Sequence, residues 1–342
     1  MKAVAIQQHG GPEVLQVVEL PEPAPRAQDV LVRVKAVALN HLDIWLRRGG
    51  SGLRPSLPHV PGSNVAGVVA SVGAEVKDLA PGTEVLVNPG LSCGHCEACL
   101  AGDDPACRGF QLVGEHLPGG YAEYVAVPRR NVVPKPARLS FPEAACLPLS
   151  FLTAWTMLVR RAQVKPGEWV LVQAAGSGVG SAAVQICKLL GATVIATASS
   201  AEKLARLQEL GVDHLINYAE QDFVTEVRRL TRRRMVDVVV EHTGAATFEK
   251  SVACLAGGGR MVLCGATTGA EVKLDLRVLF SKRLSVLGST LGSKGDLLHL
   301  LRLVEQGRLR PVLDRTLPLE EAAQAHQLME QRAQFGHIVL TP

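Results

Sequence analysis

No apolar run in this chain of 342 residues reaches the roughly 18 residues that a membrane-spanning helix needs. A strong charge of one sign is also missing. The net charge is +4 and acids and bases are mixed along the chain, which is too mild to argue for nucleic acid. There is no internal repeat or low-complexity segment, and the composition excludes collagen-like and disulfide-scaffold classes. The start, Met1-Lys2-Ala3-Val4-Ala5-Ile6, turns polar at Gln7-Gln8-His9, too soon for a signal peptide. These absences predict a soluble, cytoplasmic protein with no nucleic-acid or membrane partner. With 47% hydrophobic and 20% charged residues the chain can bury a sizeable core, and its length predicts about two domains.

The eight cysteines are unevenly spread. Cys93, Cys96, Cys99 and Cys107 crowd into one Gly-, Asp- and Pro-containing loop, while Cys146, Cys187, Cys254 and Cys264 are scattered through apolar stretches. The crowded set has the count and spacing to place four thiolates around one ion. Zn²⁺ prefers that tetrahedral sulfur shell, and a closed shell leaves no position for substrate. Two disulfides or a redox pair are the alternative, disfavoured by a cytosolic compartment and by the loop's Gly, Asp and Pro. The scattered four read as small core hydrophobes.

Residues 1–150 hold short apolar runs between turn signals: Val30–Val37, Val65–Val72, Glu84–Val87 and Tyr121–Val127. They predict a compact β-rich unit, with Pro134, Pro136 and Pro142 making a stiff stretch before the next unit. From about Gly167 strands alternate with helical patterns. The expected strands are Trp169–Gln173, Thr193–Thr197, His214–Asn217, Asp237–Val240, Arg260–Cys264 and Leu284–Gly288. Six such strands with helical crossovers predict an α/β fold with a doubly wound parallel sheet and a ligand at the strands' carboxyl ends. Ser199-x-x-Glu202 reads as a capping box for the second crossover helix.

The first of these strands leads into Ala174-Ala175-Gly176-Ser177-Gly178-Val179-Gly180, followed by a helix. Small residues here let backbone approach a pyrophosphate held at the helix N-terminus. The strict G-x-G-x-x-G spacing is not met, since positions 175, 177 and 180 are Ala, Ser and Gly, but all are small. An NAD site usually carries an acid at the end of the second strand, to bind the ribose 2′-OH. Ala198 stands there, followed by Ser199, Ser200 and Lys203. Hydroxyls and a lysine suit a 2′-phosphate better, so NADP is the expected cofactor, with NAD the alternative.

At this point the sequence resembles the medium-chain dehydrogenase/reductase superfamily, which holds the zinc-type alcohol dehydrogenases and their quinone-reductase relatives. The resemblance runs through Gly10-Gly11-Pro12-Glu13-Val14-Leu15, Val60–Gly67, the four-cysteine lobe, Ala174–Gly180 and Leu263-Cys264-Gly265. It implies a GroES-like β-rich catalytic domain from residues 1–150 and 290–342, with its zinc lobe at about 90–110, and a Rossmann domain over 151–289. It also implies that substrate and nicotinamide meet in the cleft, and a homo-dimer or homo-tetramer.

The catalytic-metal positions depart from the alcohol-dehydrogenase pattern. The Cys-His-Thr-Asp-like run reads Asn40-His41-Leu42-Asp43, the Gly-His-Glu run reads Gly62-Ser63-Asn64, and Leu149 stands where the third ligand Cys should be. A carboxamide, a hydroxyl and an aliphatic carbon do not replace thiolate and imidazole on zinc. His41, Asp43 and His59 leave an unusual shell as the remaining metal option. The quinone-reductase branch carries Asn at the first position, and the Ser-Ser-x-x-Lys run and Ile216-Asn217-Tyr218 resemble it too. That branch implies that Ser199, Lys203 and Tyr218 contact the 2′-phosphate, and the family places a pyrophosphate contact at His41.

Asn40 would donate its amide to substrate oxygen or bond within its loop; Asp43 would hold backbone or act chemically. Ser63 would serve the site or only stabilise its turn, Thr153 would touch the nicotinamide or pack, and Gly265 and Gly288 permit close approach to the cofactor. Without zinc, the chemistry favours hydride transfer to quinones, enones or activated carbonyls, whose product anions are delocalised. The alternatives are an NAD(P)-dependent alcohol dehydrogenase and, from another class, a non-catalytic nucleotide-binding sensor. The run Arg228–Arg234 has no interleaved aromatics and reads as a solvated helix end.

Overall fold

A computed structural model describes residues 1–49 and 55–342. The chain divides into two compact units: Met1–Leu152 with Gly292–Pro342, and Thr153–Leu291.

The first unit is mostly β. Its strands in chain order are β1 (Lys2–Ile6), β2 (Leu15–Glu19), β3 (Asp29–Ala38), β4 (Asn64–Val72), β5 (Glu84–Val87), β6 (Gly90–Leu91), β7 (Gln111–Leu112), β8 (Tyr124–Pro128) and β9 (Val132–Pro134). The long strand β3 organises them, pairing antiparallel with both β4 and β8. Along it Val32, Val34 and Ala36 are buried while Arg33 and Lys35 are exposed, the period of two that lets one face meet a core.

The strand expected at Tyr121–Val127 begins later. Tyr121 and Ala122 run instead against β1, with the Val4 N–H donating to the Tyr121 carbonyl at 2.7 Å. The proline stretch is not a linker. Pro134 ends β9, and Pro142 sits in the first turn of the helix Phe141–Ala145, capped by Ser140 and Glu143, all inside the first unit. The helical run Phe141–Arg161 has the length and apolarity of a membrane span, but 72% of its apolar window is buried within the protein, as in a core helix.

The second unit holds β10 (Trp169–Val172), β11 (Thr193–Ala198), β12 (His214–Asn217), β13 (Val236–Glu241), β14 (Leu255–Leu263) and β15 (Ser285–Gly288). All pairings are parallel, in the order β12-β11-β10-β13-β14-β15. The order reverses between β10 and β13, the switch point at which such sheets bind ligands. Strand β14 starts five residues before its expected first residue, Arg260. Leu255 pairs with Val236, and an irregularity lets Gly257-Gly258-Gly259 stay in a strand where glycines signal a turn.

The helix Ala201–Gln208 is capped by Ser200, whose hydroxyl accepts from the Lys203 N–H at 3.3 Å, so the expected Ser199 capping box is not formed. Cys146, Cys187 and Cys254 are buried as core residues, but Cys264 is only half-buried. In the arginine run, Arg228, Arg229 and Arg232–Arg234 are exposed at the end of the helix Phe223–Leu230, with Arg229 and Arg234 paired to Glu226 and Asp237.

The chain then returns to the first unit with β16 (Leu313–Pro318) and β17 (His337–Thr341). β17 pairs antiparallel with β3 through Val339↔Ala38 and Leu340↔Val37, which ties the C-terminal segment to the N-terminal sheet.

Candidate active site and metal centre

In the first unit, three segments converge at the head of β4. One is the start of the helix His41–Arg48. Its N-cap, Asn40, is extended, and Asp43 accepts the Asn40 N–H at 2.8 Å. The other Asp43 oxygen accepts the Gly62 N–H at 3.2 Å, which binds the second segment, residues 59–64, to the helix start. Gly62 has φ +102°, and a Cβ there would lie 2.5 Å from the Tyr121 ring. The third segment, residues 112–121, presses directly on this loop. The Gly120 N–H donates to the Gly62 carbonyl at 2.8 Å, and a Cβ on Gly114 would lie 2.6 Å from the Gly62 carbonyl carbon. Only glycine permits such backbone approach.

Asp43 is buried, and burial pushes its pKa up to about 7 despite the N–H donors of Asn40 and Gly62 and the Tyr121 hydroxyl. The folded value lies above the ordinary 3.8, so native protein binds the extra proton between about pH 4 and pH 7. Asp43's contribution therefore favours folding most below pH 4 and declines as pH rises, by at most about 4 kcal/mol. Glu115, also buried and raised to about 7, adds a term of the same sign. Asp43→Asn loses the acceptor for the Asn40 N–H but cannot ionise. Urea unfolding should find it less stable than the parent at pH 4.5, with the gap narrowing by pH 7.5. A gap independent of pH would contradict this.

Behind Asp43 runs a polar chain of fixed direction. Arg47, fully buried, donates to His326 Nδ1 at 3.3 Å, so the His326 proton sits on Nε2, 3.0 Å from the Tyr121 hydroxyl. The Tyr121 hydroxyl in turn lies 3.5 Å from Asp43. Glu330 pairs with both Arg47 and Arg48. Burial, with Arg47 adding, lowers the His326 pKa to about 3, so the ring is neutral. Tyr121, Glu115, Arg47 and His326 carry no motif; only their burial and contacts bring them to notice.

The substrate-side candidates fall as follows. Asn40 is buried with both ends of its amide engaged: Nδ2 donates to the Ala38 carbonyl at 3.3 Å, and Oδ1 accepts from Asn64 Nδ2 at 3.3 Å. It makes the loop bond, with one of the two Nδ2 hydrogens given to Ala38. Ser63 is fully buried and its hydroxyl has no hydrogen-bond partner among the described residues. Asn64 Oδ1 accepts the Leu149 N–H at 2.8 Å. Thr153 is buried in the helix Pro148–Trp155. His41 is half-buried, its ring 6.3 Å from Trp45. His59 turns to the Gly114 carbonyl at 3.1 Å, and burial lowers its pKa. Asp43, His41 and His59 thus do not gather as a metal shell; among the described residues the group that does is Cys93, Cys96, Cys99 and Cys107.

The four sulfurs lie within 4.8 Å of one another, with Cys93–Cys99 at 3.8 Å and Cys96–Cys99 at 3.5 Å. Disulfide sulfurs would be about 2 Å apart. A tetrahedron with Zn–S near 2.3 Å has edges of about 3.8 Å, so the cluster fits zinc. Backbone N–H groups of His95 and Cys96 lower the Cys93 thiol to about 6, toward the thiolate a metal needs. The lobe is stapled at its root: Asn131 Nδ2 donates to the Asn88 and Gly90 carbonyls at 2.8 and 2.7 Å, and Asp104 binds Ser92 and Lys294.

In the second unit the loop Ala174–Gly180 follows β10 at the switch point. Ser177 caps the helix Gly178–Leu189, its hydroxyl accepting the Gly180 N–H at 2.9 Å. A Cβ on Gly180 would sit 2.7 Å from both the Ala174 oxygen and the Ala175 Cα, so this glycine sets how tightly helix and strand pack. Gly176, Gly178 and Val179 complete the turn at the helix N-terminus, the place for a pyrophosphate.

Ser199 follows the end of β11, and the Tyr218 N–H donates to the Ala198 carbonyl, which brings Ser199, Tyr218 and the first turn holding Lys203 to neighbouring strand ends. Gly265 follows β14, and Gly288 ends β15 opposite Leu263. Beneath the loop lies a buried relay that carries no motif: Thr197 to Gln173, Gln173 to Ser251, and Ser251 to Glu241, at 2.9, 3.1 and 2.7 Å. Glu241 also accepts the N–H groups of Thr243 and Gly244, fixing the turn after β13.

A parallel sheet with a phosphate turn at its switch point, in a chain that also holds a β-rich unit bearing four clustered thiols, defines a zinc-containing class of nicotinamide-dependent dehydrogenases. Residues 26–137 match the family described as alcohol dehydrogenase GroES-like domain, and residues 178–306 match zinc-binding dehydrogenase. The chain is 34% identical to an NAD-dependent alcohol dehydrogenase of Saccharolobus solfataricus, covering 100% of both chains. It is 29% identical to the human quinone oxidoreductase, covering 96% of this chain and 93% of the relative. A crystal structure of an NAD-dependent alcohol dehydrogenase matches all of both chains with a TM-score of 0.96 and 53% identity. The chain belongs to the medium-chain dehydrogenase/reductase superfamily and is an NAD(P)-dependent oxidoreductase.

Proposed function

We propose that this enzyme reduces quinones, enones or activated carbonyls with NADPH and carries one zinc, held for structure by Cys93, Cys96, Cys99 and Cys107. The observation that carries the reading is the donor set Asn40, Ser63 and Leu149 at the three catalytic-ligand positions, two of which are joined by the Asn64 carboxamide. No zinc-ligating set remains there among the described residues, and the proposed reduction is metal-free.

The bound nicotinamide supplies the hydride. Ser177, Gly178, Val179 and Gly180 would hold the pyrophosphate, and Ser199, Lys203 and Tyr218 the 2′-phosphate. Asp43 fixes the loop that carries Ser63 and does not exchange protons with substrate. The test is NADPH oxidation with quinones, enones and aldehydes, against NAD⁺ or NADP⁺ reduction with alcohols. Turnover confined to alcohols would overturn the proposal. It would favour the second reading, an alcohol dehydrogenase, which the name of the S. solfataricus relative supports. Tight NADPH binding without turnover would favour a sensor.

Ser63 is the substrate-side donor in this proposal, because its buried hydroxyl makes no hydrogen bond among the described residues. Removing an orphaned buried hydroxyl is neutral or stabilising if it serves only packing. Ser63→Ala should keep its melting temperature yet lose roughly 10- to 100-fold in kcat, as for a lost donor to a developing oxyanion. Unchanged kcat would return Ser63 to packing.

We further propose a cytoplasmic homo-oligomer built on β15. This strand lies at the edge of the parallel sheet, and Val286, Leu276 and Phe280 beside it are exposed. An open apolar edge is an aggregation hazard unless covered. Phe280→Asp with Val286→Lys should convert the oligomer to a monomer by sedimentation; an unchanged mass would place the interface elsewhere.

A further inference from the structure

At the three positions where the alcohol-dehydrogenase pattern sets metal ligands, the segments still need to be held together. A metal does this by bonding all of them. Here Asn64, the residue after Ser63, spans the gap. It is fully buried at the first position of β4. Its Nδ2 donates to Asn40 Oδ1 at 3.3 Å, reaching the start of the helix His41–Arg48, and its Oδ1 accepts the Leu149 N–H at 2.8 Å, reaching the start of the helix Pro148–Trp155. Both polar ends of one carboxamide are therefore spent on two of the three ligand positions, and its own backbone adjoins the third. The geometry also assigns the amide orientation, because a backbone N–H can only donate to Oδ1, leaving Nδ2 for Asn40.

We infer that Asn64 is a positioning residue that performs by hydrogen bonds the clamping a catalytic metal performs elsewhere, holding the Asn40 and Leu149 segments at a set spacing around Ser63. The inference deepens the proposed metal-free reduction and rests on it for its effect on turnover. It does not rest on it for the clasp itself.

Two substitutions test it. Asn64→Leu removes both bonds. Asn64→Asp keeps the acceptor for Leu149, and its second oxygen can donate to Asn40 only while protonated. Burial raises the pKa of such a carboxyl, so the clasp should open as pH rises through that value. The titratable groups around this loop are Asp43 and His41 at the helix start, His59 on the same loop, and Glu115, His116 and Tyr121 on the segment packed against it, with His326 behind Tyr121. All are common to parent and variant, so the difference between the two profiles reports residue 64.

Asn64→Leu should lose roughly 10- to 100-fold in kcat with the acceptor, as for misplaced reacting groups, while NADPH affinity by fluorescence titration changes less than about twofold. Asn64→Asp should stay within about threefold of the parent at pH 5.5 and fall more than about tenfold below it at pH 8.5. Melting temperature gives a readout independent of turnover. The Asn64→Asp deficit should grow with pH across that range, and the Asn64→Leu deficit should not. If the parent reduces no acceptor, the proposed function fails, and the clasp is decided by whether Asn64→Leu, which removes both bonds without adding a carboxyl, lowers the melting temperature. PH-independent deficits for Asn64→Asp in both measurements, or acceptor kinetics unchanged in Asn64→Leu, would overturn the inference.

Discussion

Cys96→Ser is expected to purify without zinc and with its lobe unfolded. The four sulfurs sit at the edge lengths of a zinc tetrahedron, and the segment from Cys93 to Cys107 contains only one short helix, Glu97–Leu100, and one 3₁₀ turn, Asp104–Ala106. Little apolar burial is available to order it, since Leu100 is 78% exposed. The metal must then supply the ordering energy, which in small zinc modules reaches roughly 10–16 kcal/mol. Metal analysis should fall from one zinc per chain to near zero, and limited proteolysis should open within residues 93–107. The staples at the lobe root, Asn131 and the Asp104–Lys294 pair, should confine the damage. A variant that keeps its zinc and its protease resistance would show that the thiols do not form the site.

Gly180→Val is expected to abolish cofactor binding while leaving the zinc in place. A Cβ at position 180 meets backbone on two sides at 2.7 Å, so the helix Gly178–Leu189 must move away from β10. Overpacking of this kind costs about 1–3 kcal/mol, and it displaces the helix N-terminus that receives the pyrophosphate. NADPH affinity should drop more than about 100-fold, a loss of roughly 3 kcal/mol or more. Binding within threefold of the parent would mean that the loop does not hold the cofactor. The two variants should be mirror images, one losing metal and the other losing nucleotide, because each site lies within its own unit.

Local signals carried much of this fold into the sequence. The four thiols were legible because ligand spacing is a local property, and the parallel strands because burial on both faces leaves continuous apolar runs such as Trp169–Val172. The phosphate turn was legible because strand, small-residue turn and helix follow one another directly. Errors arose where neighbours override local chemistry. Ser200, not Ser199, caps its helix, since both offer the same hydroxyl and only the backbone path decides. Gly257-Gly258-Gly259 falls within β14 at a register shift, between Leu255 and Arg260, which pair with β13.

Long-range polar contacts were not legible at all. Tyr121 and His326 are 205 residues apart, Asn64 and Leu149 85, and Gln173 and Ser251 78. Nothing in the pattern of Ser63-Asn64 announces that the Asn64 carboxamide bonds both Asn40 and Leu149.

Counting zinc in the purified wild-type protein by elemental analysis tests the account most directly. One zinc per chain, retained while NADPH-dependent reduction of a quinone or enone proceeds, is the predicted result. Two per chain, with the second required for turnover, would contradict it.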